Sequence, residues 1–164
     1  MRHKTPRGIC NYNPGNIHHI HGVRWQGMSI AQTDPDFVAF NGPRWGIRAI
    51  ARVLIAYQDK RYACDDSSME CIREIVERWT QVCESDTSEY VHCLSRVMEI
   101  DPGHQCVDVY HFETMRTLVQ AIIRHENGTG PLPGGFWYGE PIIIDGLELA
   151  GISRGVEHGA GVLT

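Results

Sequence analysis

Between positions 45 and 125 the apolar residues fall into four stretches with helical spacing. In the first, 45–59, Ile47, Ile50, Ala51, Leu54 and Ile55 recur at intervals of three and four, and Arg48 and Arg52 take the other side. Such a period lays one apolar stripe against a core. The second, 68–79, carries Met69, Ile72, Ile75, Val76 and Trp79, and Ser67 with Glu70 makes a capping box at its start. The third, 87–99, carries Tyr90, Val91, Leu94, Val97 and Met98. Asp86 with Glu89 forms a looser box before it, and Asp101-Pro102-Gly103 stops it. The fourth, 111–125, carries Phe112, Met115, Leu118, Val119, Ile122 and Ile123, with Gly128 as a C-terminal stop.

The flanks lack this period. Positions 5–45 are rich in Gly, Pro, Asn, Asp and aromatics, which predicts a loop-rich segment with short strands at 18–23 and 37–40. Asn13-Pro14-Gly15-Asn16 has Pro and Gly at the two central positions of a type II turn. Positions 130–135 read as a turn-rich connector, 136–138 and 141–144 as short strand or extended cover, and the Gly-rich end from about 153 as a frayed tail. The expected fold is mostly α, of an α+β kind. It has four main helices in a single domain over 1–164, with its core at about 7–151.

Composition narrows the function classes. The chain has 164 residues, 42% of them apolar and 21% charged, which excludes disorder and low complexity. A net charge of −5 argues against a nucleic-acid binder. There is no apolar run of about 18 residues or more, so no membrane span is expected. The basic start Met1-Arg2-His3-Lys4 has no hydrophobic run behind it and does not read as a signal peptide. Synthesis in a cytoplasm and a monomeric state are expected. Six cysteines, at 10, 64, 71, 83, 93 and 106, include no C-x-x-C pair. Free thiols are expected in a reducing compartment, although the even count permits three disulfides.

The residue with the most chemical setting is Glu126. It lies four after Ile122 and seven after Val119, on the apolar side of the fourth helix at its C-terminal end. Burial and the partial negative charge of a helix C-terminus both disfavour a carboxylate there, which is the setting of a general acid. Pairing with Arg124 or an N-terminal arginine is the structural alternative. Asn11, Asn13 and Asn16 offer amides suited to sugar hydroxyls and acetamido groups, and Trp25, Phe37, Phe40 and Trp45 offer stacking faces. Turn formation and core filling would equally account for them. Asp34, Glu84 and Asp86 are the possible second acidic groups, with Asp34 in a turn sequence and Asp86 an N-cap. His18, His19 and His21 invite a metal reading, but no H-E-x-x-H or comparable carboxylate partner accompanies them. No residue marks Cys64, Cys71 or Cys93 as an activated nucleophile.

The segment Arg7-Gly8-Ile9-Cys10-Asn11-Tyr12-Asn13-Pro14-Gly15-Asn16-Ile17 resembles the R-G-I-R-N-N-N-P-G-N-I opening of a family of phage and prophage proteins. Members are described variously as virion structural proteins, endolysins or lysozyme-like proteins. The likeness continues, in order, through Trp25-x-Gly27, Asp34-Pro35-x-Phe37-Val38-x-Phe40, Gly46-Ile47-Arg48-Ala49, Arg78-Trp79, Glu84-x-Asp86-Thr87 with Tyr90, Ala121-Ile122, Glu126-Asn127-Gly128 and Gly146-Leu147-x-Leu149-Ala150-Gly151. It covers about 7–151. Cys10 and Tyr12 stand where Arg and Asn are usual, His18-His19-Ile20-His21 where a basic residue follows, Ser85 for Asn, and Gln81-Val82-Cys83 for a Pro-containing stretch.

Ala121–Gly128 also resembles the helix of lysozyme-like lytic transglycosylases that ends in a catalytic Glu followed by Ser or Asn and Gly. In glucosaminidase-type relatives an Asn-rich segment follows that Glu. Here Asn13-Pro14-Gly15-Asn16-Ile17 precedes Glu126, so the likeness implies a circularly permuted lysozyme-like arrangement. These resemblances imply cleavage of bacterial peptidoglycan, in the periplasm or cell wall or from a virion. Glu126 would be catalytic, Asn11, Asn13, Asn16, Trp25 and Tyr90 would bind substrate, and neither metal nor cofactor is implied. The alternatives are a non-catalytic virion or cell-wall-binding module and a metal-dependent hydrolase built on the histidine cluster.

Overall fold

In the computed structural model the described residues are 4–63, 72–80, 87–99 and 107–155. They form α1 (Arg7–Cys10), α2 (Pro43–Ala63), α3 (Ile72–Thr80), α4 (Thr87–Met98), α5 (Phe112–Asn127), a single 3-10 turn (Pro133–Gly135) and α6 (Glu140–Leu149). Helices α2 to α5 lie where the apolar stripes predict them. The Ser67–Glu70 box, Asp86 and the Asp101 stop fall outside the described residues.

The stripes meet in one core. Ile47, Ile50, Leu54 and Ile55 of α2, Ile75 and Val76 of α3, Val91 and Leu94 of α4, and Met115, Leu118 and Ile122 of α5 are all buried together. Helix α2 packs on α5 and α6, α4 packs on α3 and α5, and α1 packs on α5. Gly128 ends α5 as expected, with φ +75 and its N–H bonded to the Arg124 carbonyl at 2.8 Å.

Two expectations are corrected. Positions 141–144 are not strand but the first turns of α6, and 136–138 form no strand either. Pro141 sits in the first turn of α6, where its missing N–H is harmless, and Ile143, Gly146, Leu147 and Ala150 make the buried stripe. The run Ile142-Ile143-Ile144 is too short for its period to separate strand from helix. Gly146 then decides how closely the helix docks. A Cβ there would lie 2.4 Å from Cγ2 and 2.6 Å from Cβ of Ile47 on α2. Overpacking of that kind costs about 1–3 kcal/mol, against at most ~1 kcal/mol gained in helix propensity. Gly146→Ala should therefore lower the melting temperature by a few degrees, at about 2–4 °C per kcal/mol for a chain of this size. An unchanged Tm in a thermal melt would contradict this packing.

The α+β expectation is also corrected. The predicted strands at 18–23 and 37–40 are reduced to two isolated antiparallel bridges, His18 with Phe37 and Met28 with Phe40, and the described residues contain no sheet. Side-chain amides occupy backbone groups that a ladder would use. Gln32 donates to the carbonyls of Ser29 and Ala39 at 2.7 and 2.8 Å and accepts from the Ala39 N–H at 2.9 Å. Asn13 does the same for Ile17 and Val38. The turn at Asn13–Asn16 closes with the Asn16 N–H on the Asn13 carbonyl at 3.0 Å, but Gly15 lacks the positive φ of a type II turn. Glycine is needed there for space: a Cβ would lie 2.7 Å from Cγ1 of Ile50.

Candidate active site

The last turn of α5 and the N-terminal loop meet at three residues. Glu126, half-buried, accepts a hydrogen bond at Oε2 from Asn16 Nδ2 at 3.1 Å. Beside it Asn127, buried, donates from Nδ2 to the Pro14 carbonyl at 2.7 Å and back to the Ile123 carbonyl at 2.8 Å. Asn127 thus ties helix to loop, and Asn16 fixes the carboxyl that the helix delivers. Asn16 itself has φ +50, a left-handed conformation that Asn tolerates better than most residues.

Gly8 of α1 closes the junction. A Cβ on it would lie 2.6 Å from Oδ1 of Asn127, 2.6 Å from Oδ1 of Asn16 and 2.9 Å from the Asn13 carbonyl. Both amide oxygens are buried without a conventional donor. Any side chain at position 8 would collide with both of them. Glu126 Oε1 too is covered, and it has no hydrogen-bond partner.

The asparagines named from sequence thus separate by role. Only Asn16 reaches Glu126. Asn13 is 0% exposed, with its amide bonded to Ile17 and Val38, so direct contact with substrate is closed to it. Asn11 is buried and donates to Asp34 Oδ2 at 2.9 Å, which makes it a structural residue as well. Trp25 is half-buried and lines a separate cavity with Trp79. Tyr90 stands on α4, with its side chain outside the description. Gly8 and Asn127 were missed as site residues, although both stand inside the motifs that carry the family likeness.

The possible second carboxylates do not join Glu126 in the described structure. Glu84 and Asp86 lie outside the described residues. Asp34 is saturated: Arg7 grips both its oxygens, Asn11 binds Oδ2, and the backbone N–H groups of Asp36 and Phe37 bind Oδ1 at 2.9 and 3.0 Å. Arg7 also reaches Asp36 at 2.8 Å and stacks on Phe37, 4.5 Å from the ring centre. Asp34 pins the loop. The Arg7 guanidinium holds its carboxyl well below the usual carboxylate range, with help from Asn11 and the two backbone donors and against the opposing effect of burial. A depressed folded pKa means stability that is present above the unfolded value of about 3.9 and is lost as pH falls toward the folded one. Below about pH 4 the wild type should therefore lose stability more steeply than Asp34→Asn, whose amide oxygen can still cap the turn. Parallel acid limbs in denaturant melts would remove Asp34 from this role.

His19 donates from Nε2 to the Asp34 carbonyl at 3.0 Å, and His18 packs on Phe37 with ring centres 4.6 Å apart. Among the described residues no group of three or more His, Cys, Asp or Glu is placed to hold a metal. Cys10 is exposed and free. His125, next to Glu126, is pulled toward its neutral form by burial, while Glu126 and Glu89 pull the other way. Glu126 lines neither the cavity beside Trp25 and Trp79 nor the clefts at Gln120 and Trp137 and at Arg7 and Asp34.

No protein-family model matches the chain. It is 33% identical over 130 residues to Protein P5 of Pseudoalteromonas phage PM2, an alignment that spans 78% of this chain and 75% of that protein. The chain belongs to the Protein P5 family. Its expected kinship with phage proteins is therefore met. Among the described residues of this P5 homologue, no helix is long and apolar enough to cross a membrane.

Proposed function

We propose that the chain cleaves the glycan strand of bacterial peptidoglycan, by a lysozyme or lytic-transglycosylase type of reaction, with Glu126 as general acid and then base. One observation carries this reading: Glu126 and Asn16, 110 positions apart, form a direct hydrogen bond. A helix-ending Glu and an Asn-Pro-Gly-Asn loop are the two elements of the lysozyme-like resemblance, and here they share one carboxyl. Asn16 orients the Glu126 carboxyl through Oε2.

The reaction balances with these groups. The Glu126 carboxyl gives its proton to the glycosidic oxygen as the C–O bond breaks, leaving an oxocarbenium-like centre. The sugar's own hydroxyl then attacks that centre and Glu126 takes its proton, so an anhydro end forms and the carboxyl is restored. Water can attack in its place and yields a reducing end. The first route needs one carboxylate. It suits a site in which Asp34 is held by Arg7 and Asn11. No metal or cofactor enters either route. Kinship with a phage protein fits action on a host wall, from a virion or at lysis.

Digestion of purified sacculi, with products identified by mass spectrometry, tests the proposal. Soluble muropeptides are expected, and anhydro ends would identify the transglycosylase route. Protein that binds sacculi and releases no fragments would replace this reading with a cell-wall-binding or virion structural module.

A further inference from the structure

A cavity of about 310 Å³ lies between the N-terminal loop, α2 and α3, apart from Glu126. Its walls are apolar: Ile17, Ile20, Trp25, Val53, Tyr57 and Trp79. Two cations, Arg52 and Lys60, complete the lining on α2, and no Asp or Glu lies among the described lining residues. Residues 52, 56 and 60 are spaced by four, so they stand in one row along the helix, with Ala56 between the two charges. Eight residues of helix set the Cα atoms of Arg52 and Lys60 about 12 Å apart. Arg52 donates from Nη1 to the Ala150 carbonyl at 3.3 Å, and neither it nor Lys60 forms an ion pair among the described residues.

We infer that this cavity is a second binding site, for a single-chain amphiphile with an anionic head group. The volume stands at the lower end of ligand pockets, about 300–1,000 Å³, and suits one short chain better than a two-chain lipid. The lining suits an apolar body with one negative end. A sugar is a poor occupant. Apart from Arg52, Lys60, the Tyr57 hydroxyl and the indole N–H groups of Trp25 and Trp79, the described lining offers a sugar's many hydroxyls no polar side chain, and unpaired hydroxyls resist burial. Gly15 and Ile17 also line the cavity, on either side of the Asn16 that holds Glu126. An occupant therefore rests against the segment that positions the Glu126 carboxyl.

The test reads binding alone, so its failure is separate from any failure of the peptidoglycan reading. Trp25 and Trp79 report occupancy when the full chain is titrated with decanoate below its micelle concentration and tryptophan emission is followed. One saturable site per chain is expected. Decanol should bind about tenfold more weakly, because it lacks the charge-assisted contact. Lys60→Glu should weaken decanoate by a similar factor and leave decanol unchanged. Ala56→Trp should abolish binding while the far-ultraviolet circular dichroism stays that of the wild type, and Glu126→Gln should bind as the wild type does. Equal affinity for decanoate and decanol, or no saturable site, would overturn the inference. So would binding to anionic lipid vesicles with none to monomeric decanoate.

Discussion

Glu126→Gln should reduce the release of soluble fragments from sacculi by at least about 100-fold, since general acid–base catalysis is worth roughly 10²–10⁴ in rate. The substitution removes the transferable proton and little else. The amide oxygen of Gln can still accept from Asn16 Nδ2, the bond that now measures 3.1 Å. Asn127 still ties α5 to the Pro14 carbonyl. Stability should therefore stay within about 1 kcal/mol of wild type, the net worth of an ordinary hydrogen bond. A folded mutant that keeps wild-type release, measured by the same mass spectrometry, would remove Glu126 from the chemistry. Loss of activity together with loss of folding would need Glu126→Asp as a second variant. That change keeps the carboxyl but draws it back by one methylene, and it should restore folding with only a small part of the rate.

Gly8→Ala is expected to damage both stability and the site. The added methyl would stand 2.6 Å from the side-chain oxygens of Asn16 and Asn127 and 2.9 Å from the Asn13 carbonyl. Alanine gains up to ~1 kcal/mol over glycine in a helix interior, but α1 is one turn long and realises little of that. Overpacking at about 1–3 kcal/mol wins. Asn127 is anchored at two carbonyls, and Asn13 belongs to the backbone of a buried turn. Asn16 has the single contact with Glu126 and is the side chain that can move. Gly8→Ala should thus lower Tm and separate Asn16 from Glu126, with a loss of rate larger than the loss of folded protein. Ile9→Ala, one position on at a half-buried residue, is the control for general damage to α1. Equal effects of the two substitutions on the rate per folded molecule would show that the fit at Gly8 does not govern the site.

Much of the helical frame is written in the sequence because it rests on local repetition. The apolar residues of α2 and α5 recur at three and four over several turns, and no strand can bury such a stripe on one face. Gly128 announces the end of α5, and with it the position of Glu126 on the apolar side of the last turn. Helix α6 was not legible, since three successive isoleucines carry no period of their own. Packing of Gly146 against Ile47 on α2 settles it as a helix.

The loop was legible as turn-forming but not in its roles. Asn11, Asn13 and Asn16 look alike as residue types. Asn13 faces the Ile17 and Val38 backbone, Asn11 faces Asp34, and Asn16 alone turns to α5. Those partners lie 4 to 110 positions away, so no local pattern distinguishes them. Likewise Asp34 suits a turn by composition, while its full occupation depends on Arg7, 27 positions earlier. Helical period and caps act over a few residues, so the α2 to α5 stripes and a carboxyl at the end of the last of them can be read along the chain. Which amide holds that carboxyl, which acid is a structural pin and where α6 lies depend on contacts between segments distant in the chain, and only folding brings those together.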